Sequence, residues 1–304
     1  MNNYKSSAYL AIIITITVWG VSLVNAKIAL TYFTPISLAF WRFFVASIVL
    51  FVIHKMKHPQ VRIALEDRKI FFIAGSTGIF LYYIFQNTGL MYASTAIVSI
   101  ILSMIPMLTM LVENWIEKRP FTPLKIASVF LSIIGVILVV GFQVEESLAA
   151  TLLGSFLIFL CAISWLIYTF STKKLYEKYS PLTITYYQII IGTFLLGLLM
   201  PFNWANPLAA PLEPLLHTLY LGIVCSAMAL LFYAYALKHL SATVCNIFIN
   251  LMPGVTIVTS YFYLNETITW IQLLGALLIL SSIFIITSLK EPSFKNAAIS
   301  PNEV

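Results

Sequence analysis

Charge is what this sequence lacks most. Only 9% of its 304 residues are charged and 61% are hydrophobic, against roughly a quarter charged in an ordinary soluble domain. The polar surface that keeps a globule in water is missing, so the chain reads as an integral membrane protein. Cysteine is scarce: Cys161, Cys225 and Cys245 all sit in apolar runs, without CxxC or His-paired spacing. They read as small buried hydrophobes and say nothing of a redox compartment. Catalytic signatures are missing as well. There is no HExxH, no GxSxG and no intramembrane Asp pair, and His54, His58, His217 and His239 lie at span ends rather than converging. No Walker motif is present, so this chain does not hydrolyse ATP; no cofactor and no metal are expected. An intramembrane enzyme is the remote alternative these absences leave.

What is present is apolar length. Runs of about 20 apolar residues occur at 8–26, 36–54, 70–89, 95–116, 124–142, 152–171, 182–201, 214–237, 242–263 and 270–289. The breaks carry turn formers or charge, as in "HKMKHPQVRIALEDRK", "IEKRPFTP" and "NWANPLAAPLEP". Alternating barrel patterning is absent, so the spans are helices. The expected fold is an all-α integral membrane protein of ten transmembrane helices.

The net charge of +6 would suggest a nucleic-acid partner in a soluble chain, but in a membrane chain basic residues are read by position. No nucleic acid is expected; the partners are the bilayer and a small-molecule substrate. With a cytoplasmic N-terminus, the inward segments hold Lys5; Lys55, Lys57, Arg62, Arg68 and Lys69; Lys118, Arg119 and Lys125; Lys173, Lys174 and Lys178; Lys238; and Lys290 and Lys295. That is fifteen of the 17 basic residues, while the outward loops hold only Lys27 and the last, Arg42, lies within a span. Both termini are therefore expected in the cytoplasm.

Lys5, an apolar run and "VNA" at residues 24–26 imitate a cleavable signal peptide. An internal repeat argues against it. A shift of 146 residues brings Trp19 onto Trp165, Lys27 onto Lys173 and Pro35 onto Pro181; a shift of 147 brings Ser94 onto Ser241 and Pro106 onto Pro253. Residues 1–146 and 147–290 thus form two repeats of five spans each, followed by a cytoplasmic tail, 291–304. Five is odd, so the second copy enters the membrane from the opposite side. Inverted repeats are a transporter signature, because two near-equivalent halves packed in opposite senses can exchange conformations and swap an outward opening for an inward one. A channel or scramblase does not require that exchange.

The stretch "NTGLMYASTAIVSIILSMIPMLTMLVENWIEKRPFTPLKIASVFLSIIGVILV" and its partner "AYALKHLSATVCNIFINLMPGVTIVTSYFYLNETITWIQLLGALLILSSIFII" resemble the EamA-type repeats of the drug/metabolite transporter superfamily, over roughly residues 8–289. The features that match are the small-residue entry to the fourth helix of each repeat, its mid-helix proline, the glutamate that ends it (Glu117, Glu266), and a following helix with Gly135 or Gly275. Arg42 after an aromatic looks like the family's first repeat, whereas Gln188 stands at the equivalent place in the second. The resemblance implies a ten-helix exporter or facilitator of small metabolites in the bacterial inner membrane, with a central pocket between the repeats. It leaves the substrate open among amino acids, nucleosides, nucleotide sugars, cofactors and cationic drugs.

The residues point to a pocket independently. Ser99, Ser103 and Pro106 are spaced i, i+4, i+7 on one face of the fourth span, and the 147-residue shift puts Asn246, Asn250 and Pro253 on the matching face of the ninth. The prolines are read as helix bends that free a carbonyl one turn earlier. Interhelical packing, worth about 0.6 kcal/mol per polar residue, is the competing explanation; the pairing favours a cavity lining. Trp19 and Ser22, Tyr82 and Gln86, Trp165 and Tyr168, and Tyr233 are the other candidates. Aromatic walls with a few Ser, Asn, Gln and Tyr groups suit a small amphipathic molecule. An exporter of an amino-acid-like metabolite by alternating access is the leading reading, and a multidrug exporter of lipophilic cations the alternative.

Two charges stand inside spans. Arg42, roughly 9 Å below the outer start of its helix at about 1.5 Å per residue, has three readings: a brace of the outer gate, a site for an anionic substrate group, or a snorkelling side chain. Backbone carbonyls at outer helix ends or Asn25 are its expected partners. Glu113 is either a proton carrier, if transport is proton-coupled, or a helix-end residue paired with Lys118 or Arg119.

Overall fold

The computed structural model describes residues 3–57, 61–93, 98, 101, 102, 104–118, 122–140, 148–252, 254, 255, 258 and 269–288. Among them there is no strand, and ten helical segments follow one another in the order expected. They are α1 (Asn3–Ala29), α2 (Pro35–Lys57), α3 (Leu65–Tyr92), α4 (Ile105–Glu117), α5 (Pro123–Val140), α6 (Leu148–Leu175), α7 (Pro181–Leu199), α8 (Leu212–His239), α9 (Ala242–Leu251) and α10 (Trp270–Ser288). Six of them, α1, α2, α3, α6, α7 and α8, are long and apolar enough to cross a membrane. The other four are shorter apolar helices among the described residues.

Local chemistry sets the helix starts. Pro35, Pro123 and Pro181 stand first in α2, α5 and α7, where a missing N–H costs nothing and a fixed φ favours the helix. Ser180 and Ser241 cap α7 and α9 by accepting from the Thr183 and Val244 amides. Pro106 is the second residue of α4, and the described residues 101 and 102 just before that helix are helical as well. Pro253 lies outside the described residues.

The pattern of burial is that of a membrane bundle. Phe44, Ile48, Phe51, Phe130, Phe156, Phe194 and Phe284 point outward, while Thr15, Ser37, Gln188, Ser226, Asn246 and Asn250 are buried. Apolar groups outside need no partner in hydrocarbon, and polar groups inside find theirs across helices.

Packing crosses between the two halves of the sequence. α1 lies against α8, α3 against α6, α2 against α7 and α5 against α10. Glycines permit the closest approaches: a Cβ on Gly75 would come within 2.9 Å of the Gln188 carbonyl oxygen, and one on Gly222 within 2.8 Å of that of Arg42. These glycines are 147 residues apart, and the residues they touch are 146 apart. Both α3 and α8 also contain a π-helical stretch, Ser76–Leu81 and Leu221–Met228, which the 147-residue shift brings into overlap.

The connections gather at two ends. At one, Lys178 reaches Glu66 at 2.6 Å and Asp67 at 3.2 Å, and Tyr179 donates to Asp67 at 2.9 Å. The acceptors Glu66 and then Asp67 hold Lys178 above its ordinary pKa. At the other end Trp41 donates to the Ala205 carbonyl and Tyr32 to that of Asn206, and Trp41 stacks edge-on with Trp204.

Candidate functional site

Five of the aromatic residues singled out from the sequence form one cluster. Trp19 on α1 and Trp165 on α6 meet edge-to-face with ring centroids 5.4 Å apart. Trp165 also packs at a tilt against Tyr82 at 5.1 Å, Tyr168 at 4.9 Å and Tyr233 at 5.0 Å. Such offset and edge contacts are the favoured aromatic geometries. The polar ends are satisfied inside the protein: Trp19 Nε1 donates to the Cys225 carbonyl at 3.0 Å and Trp165 Nε1 to Asn246 Oδ1 at 3.2 Å. The carbonyl used by Trp19 lies in the π stretch of α8, where the hydrogen-bond ladder is already displaced.

Asn246 is the hub behind the tryptophans. Its Oδ1 also accepts from Tyr233 at 2.8 Å, and its Nδ2 donates to Thr109 at 2.8 Å, which ties α9 to α4. Asn250 donates to Ser132 on α5 at 2.7 Å. Their expected partners Ser99 and Ser103 lie outside the described residues.

Beside the cluster is a small space of about 20 Å³, lined by Trp19, Ser22, Tyr82, Gln86 and Trp165 together with Arg42. Tyr83, Leu102, Ile105, Ile249 and Met252 also line it. That volume is about what one water molecule needs. Tyr168, Tyr233 and Asn246 form the layer behind that wall. Ser22 and Gln86 engage local partners, the Trp19 carbonyl at 2.7 Å and the Tyr82 hydroxyl at 3.1 Å.

Arg42 is 3% exposed. Its Nε donates to Ser226 at 2.5 Å, its Nη2 reaches the Tyr83 hydroxyl at 3.4 Å, and its Cζ sits 4.5 Å from the Tyr83 ring centroid, within cation–π range. The expected partner Asn25 is engaged elsewhere, with His217 and the Val21 carbonyl. The arginine reaches inward to a hydroxyl in the π stretch of α8, where Gly222 lets the backbones of α2 and α8 close.

Glu113 also differs from expectation. It is buried, and its Oε1 accepts from Lys173 Nζ at 2.9 Å and the Ala242 amide at 3.1 Å; its Oε2 accepts from the Thr243 amide at 3.1 Å and from Thr243 Oγ1. Among the described residues the partners are therefore on α6 and at the start of α9; Arg119 lies outside the described residues. A carboxylate suits the first turn of a helix, whose amides have no intrahelical acceptor.

Tyr83, Ser226, Lys173 and Thr243 are the functional neighbours that the sequence reading missed. Lys173 had a signal, since it is the repeat counterpart of Lys27. Ser226 had a weaker one as a hydroxyl in an apolar run, and Tyr83 was passed over for its neighbour Tyr82.

The profile of the EamA-like transporter family matches residues 6–141 and again 152–288. The chain belongs to the EamA-like transporter family. An uncharacterized transporter of Archaeoglobus fulgidus is 28% identical over 93% of this chain and 98% of its own length. A probable terminal-alkyne amino-acid exporter of Streptantibioticus cattleyicolor is 24% identical over 92% of this chain and 93% of its own. The transporter YyaM of Bacillus subtilis is 26% identical over 84% and 85%. A solved crystal structure shares the fold, with a TM-score of 0.78 at 16% identity over 93% of this chain and 99% of that one. This EamA protein is thus a multi-pass membrane transporter and not an enzyme.

Proposed function

We propose that this EamA transporter moves a small amphipathic, amino-acid-like metabolite out of the cell by alternating access. In this reading ten spans cross the inner membrane of a bacterium as two inverted five-helix repeats, with both termini in the cytoplasm. The observation that carries the proposal is the narrow, aromatic-walled space at Trp19, Tyr82 and Trp165, built from helices of both sequence halves. A space of about 20 Å³ is far below the roughly 300 Å³ at which ligand pockets begin. Loading a substrate therefore requires α1, α2, α3, α4, α6 and α9 to part, and parting toward one face at a time is alternating access. The matched glycines and π stretches supply equivalent contacts on which two such openings pivot.

Export and an amino-acid-like cargo are also suggested by the name of the Streptantibioticus cattleyicolor relative. A lipophilic cation would call for a carboxylate in the wall. Among the described residues the lining of the space includes the cation Arg42 and no acid. Glu113 serves, in this reading, as a latch at the cytoplasmic end, its oxygens already taken by Lys173 and α9, rather than as the carrier of a coupling proton.

The test is metabolite profiling of the medium from cells over-expressing the wild-type chain and the Trp165→Ala variant at equal membrane abundance. The proposal expects at least one small amphipathic compound enriched by wild type and not by the variant. Identical profiles would overturn it.

A further inference from the structure

We propose that Arg42 is the seat for a carboxylate on the transported molecule, an inference that rests on the transport reading above and names the chemistry of one end of that pocket. A guanidinium inside a span costs several kcal/mol unless it is compensated. Among the described residues the contacts of Arg42 are neutral: the Ser226 hydroxyl, the Tyr83 hydroxyl and ring, and the adjacent Phe43 ring. Among the described residues the ion pairs go elsewhere, Glu113 to Lys173, and Glu66 and Asp67 to Lys178.

The repeat supplies an internal control on what the position demands. Gln188 stands where Arg42 does in the other half, and its amide donates to Thr172 at 2.8 Å. Gly75 packs on the Gln188 carbonyl as Gly222 packs on that of Arg42. A neutral amide therefore meets the bracing requirement of this helix crossing. The charge is surplus to packing, and it stands in the half whose side chain borders the small aromatic-walled space.

Geometry narrows the ligand. Nε is taken by Ser226 at 2.5 Å, while Nη2 has only a long contact of 3.4 Å to Tyr83. The outer edge of the fork, Nη1 with Nη2, matches the two oxygens of a carboxylate. Around it Trp19, Tyr82 and Trp165 offer an apolar body its walls, and Ser22 and Gln86 offer polar groups for a second substituent. The cargo is thus an amphipathic carboxylate, held by its anionic end at Arg42.

The experiment uses the full chain in lipid nanodiscs and four probes of similar size: phenylalanine, phenylacetate, phenylalanine amide and phenethylamine. Binding is read from quenching of tryptophan fluorescence. The two carboxylates are expected to bind about 10- to 100-fold more tightly than the amide and the amine, the range set by a hydrogen bond to a charged group. Arg42→Gln should erase that preference, and Arg42→Lys should retain part of it. Equal binding of all four probes to the wild-type chain would overturn the carboxylate seat while leaving an aromatic pocket standing. Failure of every probe to bind would overturn both readings. Should Arg42→Gln not fold, the wild-type panel alone decides; if it folds and keeps the preference, the seat is elsewhere.

Discussion

Replacing Glu113 with glutamine removes one charge from a site where four donors converge. Lys173 Nζ and the Ala242 amide share one oxygen, and the Thr243 amide and hydroxyl share the other. An amide keeps a single acceptor. Turned toward Thr243 it sets its NH2 against an ammonium and a backbone N–H; turned the other way it leaves the Thr243 amide without an acceptor. Breaking a buried ion pair from one side costs about 3–5 kcal/mol. Lys173 retains 21% exposure, so its ammonium recovers some hydration, and the net loss works out at about 2–4 kcal/mol. A double-mutant cycle of Glu113→Gln and Lys173→Met, followed by chemical unfolding in micelles, isolates the pair. A coupling of about 1–3 kcal/mol is expected. A value below about 0.5 kcal/mol, the limit of ordinary additivity, would refute the argument that the pair ties α4 to α6. The same cost falls on the arrangement that joins α4, α6 and α9, so a loss of about 2 kcal/mol shifts a two-form equilibrium roughly 30-fold away from it.

Asn246→Leu should destabilise the fold by about 2–3 kcal/mol, because Trp165, Tyr233 and Thr109 lose their common partner in a buried place; a thermal-unfolding midpoint unchanged from wild type would contradict it. Gly222→Ala should cost about 1–3 kcal/mol through overpacking against backbone, while Gly197→Ala, whose nearest neighbour is a Phe40 ring atom at 3.4 Å, should be neutral or stabilising in the same unfolding assay. Reporter fusions should place the loop between α2 and α3 and that between α6 and α7 in the cytoplasm, and the loop around Glu145 and Glu146 outside; the reverse would overturn the orientation.

Much of the aromatic site was legible because repetition and apolar context are both linear signals. Trp19 and Trp165 announce each other by a fixed shift, and a tryptophan in the middle of a run has few other reasons to be there. Partners of charges were not legible. Arg42 finds Ser226 and Glu113 finds Lys173 across helix crossings, and nothing in spacing along one chain encodes which helices cross. The π stretches left no sequence trace, because the same small and apolar residues form ordinary α turns as well.

Those two stretches carry a rotational consequence. In an α-helix each residue advances the side chains by about 100°, whereas the wider π turn absorbs an extra residue without that advance. The phase of α3 beyond Leu81 is therefore out of step with its first turns, and the phase of α8 beyond Met228 likewise. Rewinding Ser76–Leu81 as α would turn Tyr82, Tyr83 and Gln86 by about 100° relative to Arg68–Gly75, withdrawing all three from Arg42 and Trp165 while the start of the helix stayed seated on α7. Rewinding Leu221–Met228 would swing Tyr233 away from Trp19 and Asn246 in the same manner. Each half thus holds a wound stretch whose release would rotate the residues beyond it by under a third of a turn without unseating the start of the helix that carries it.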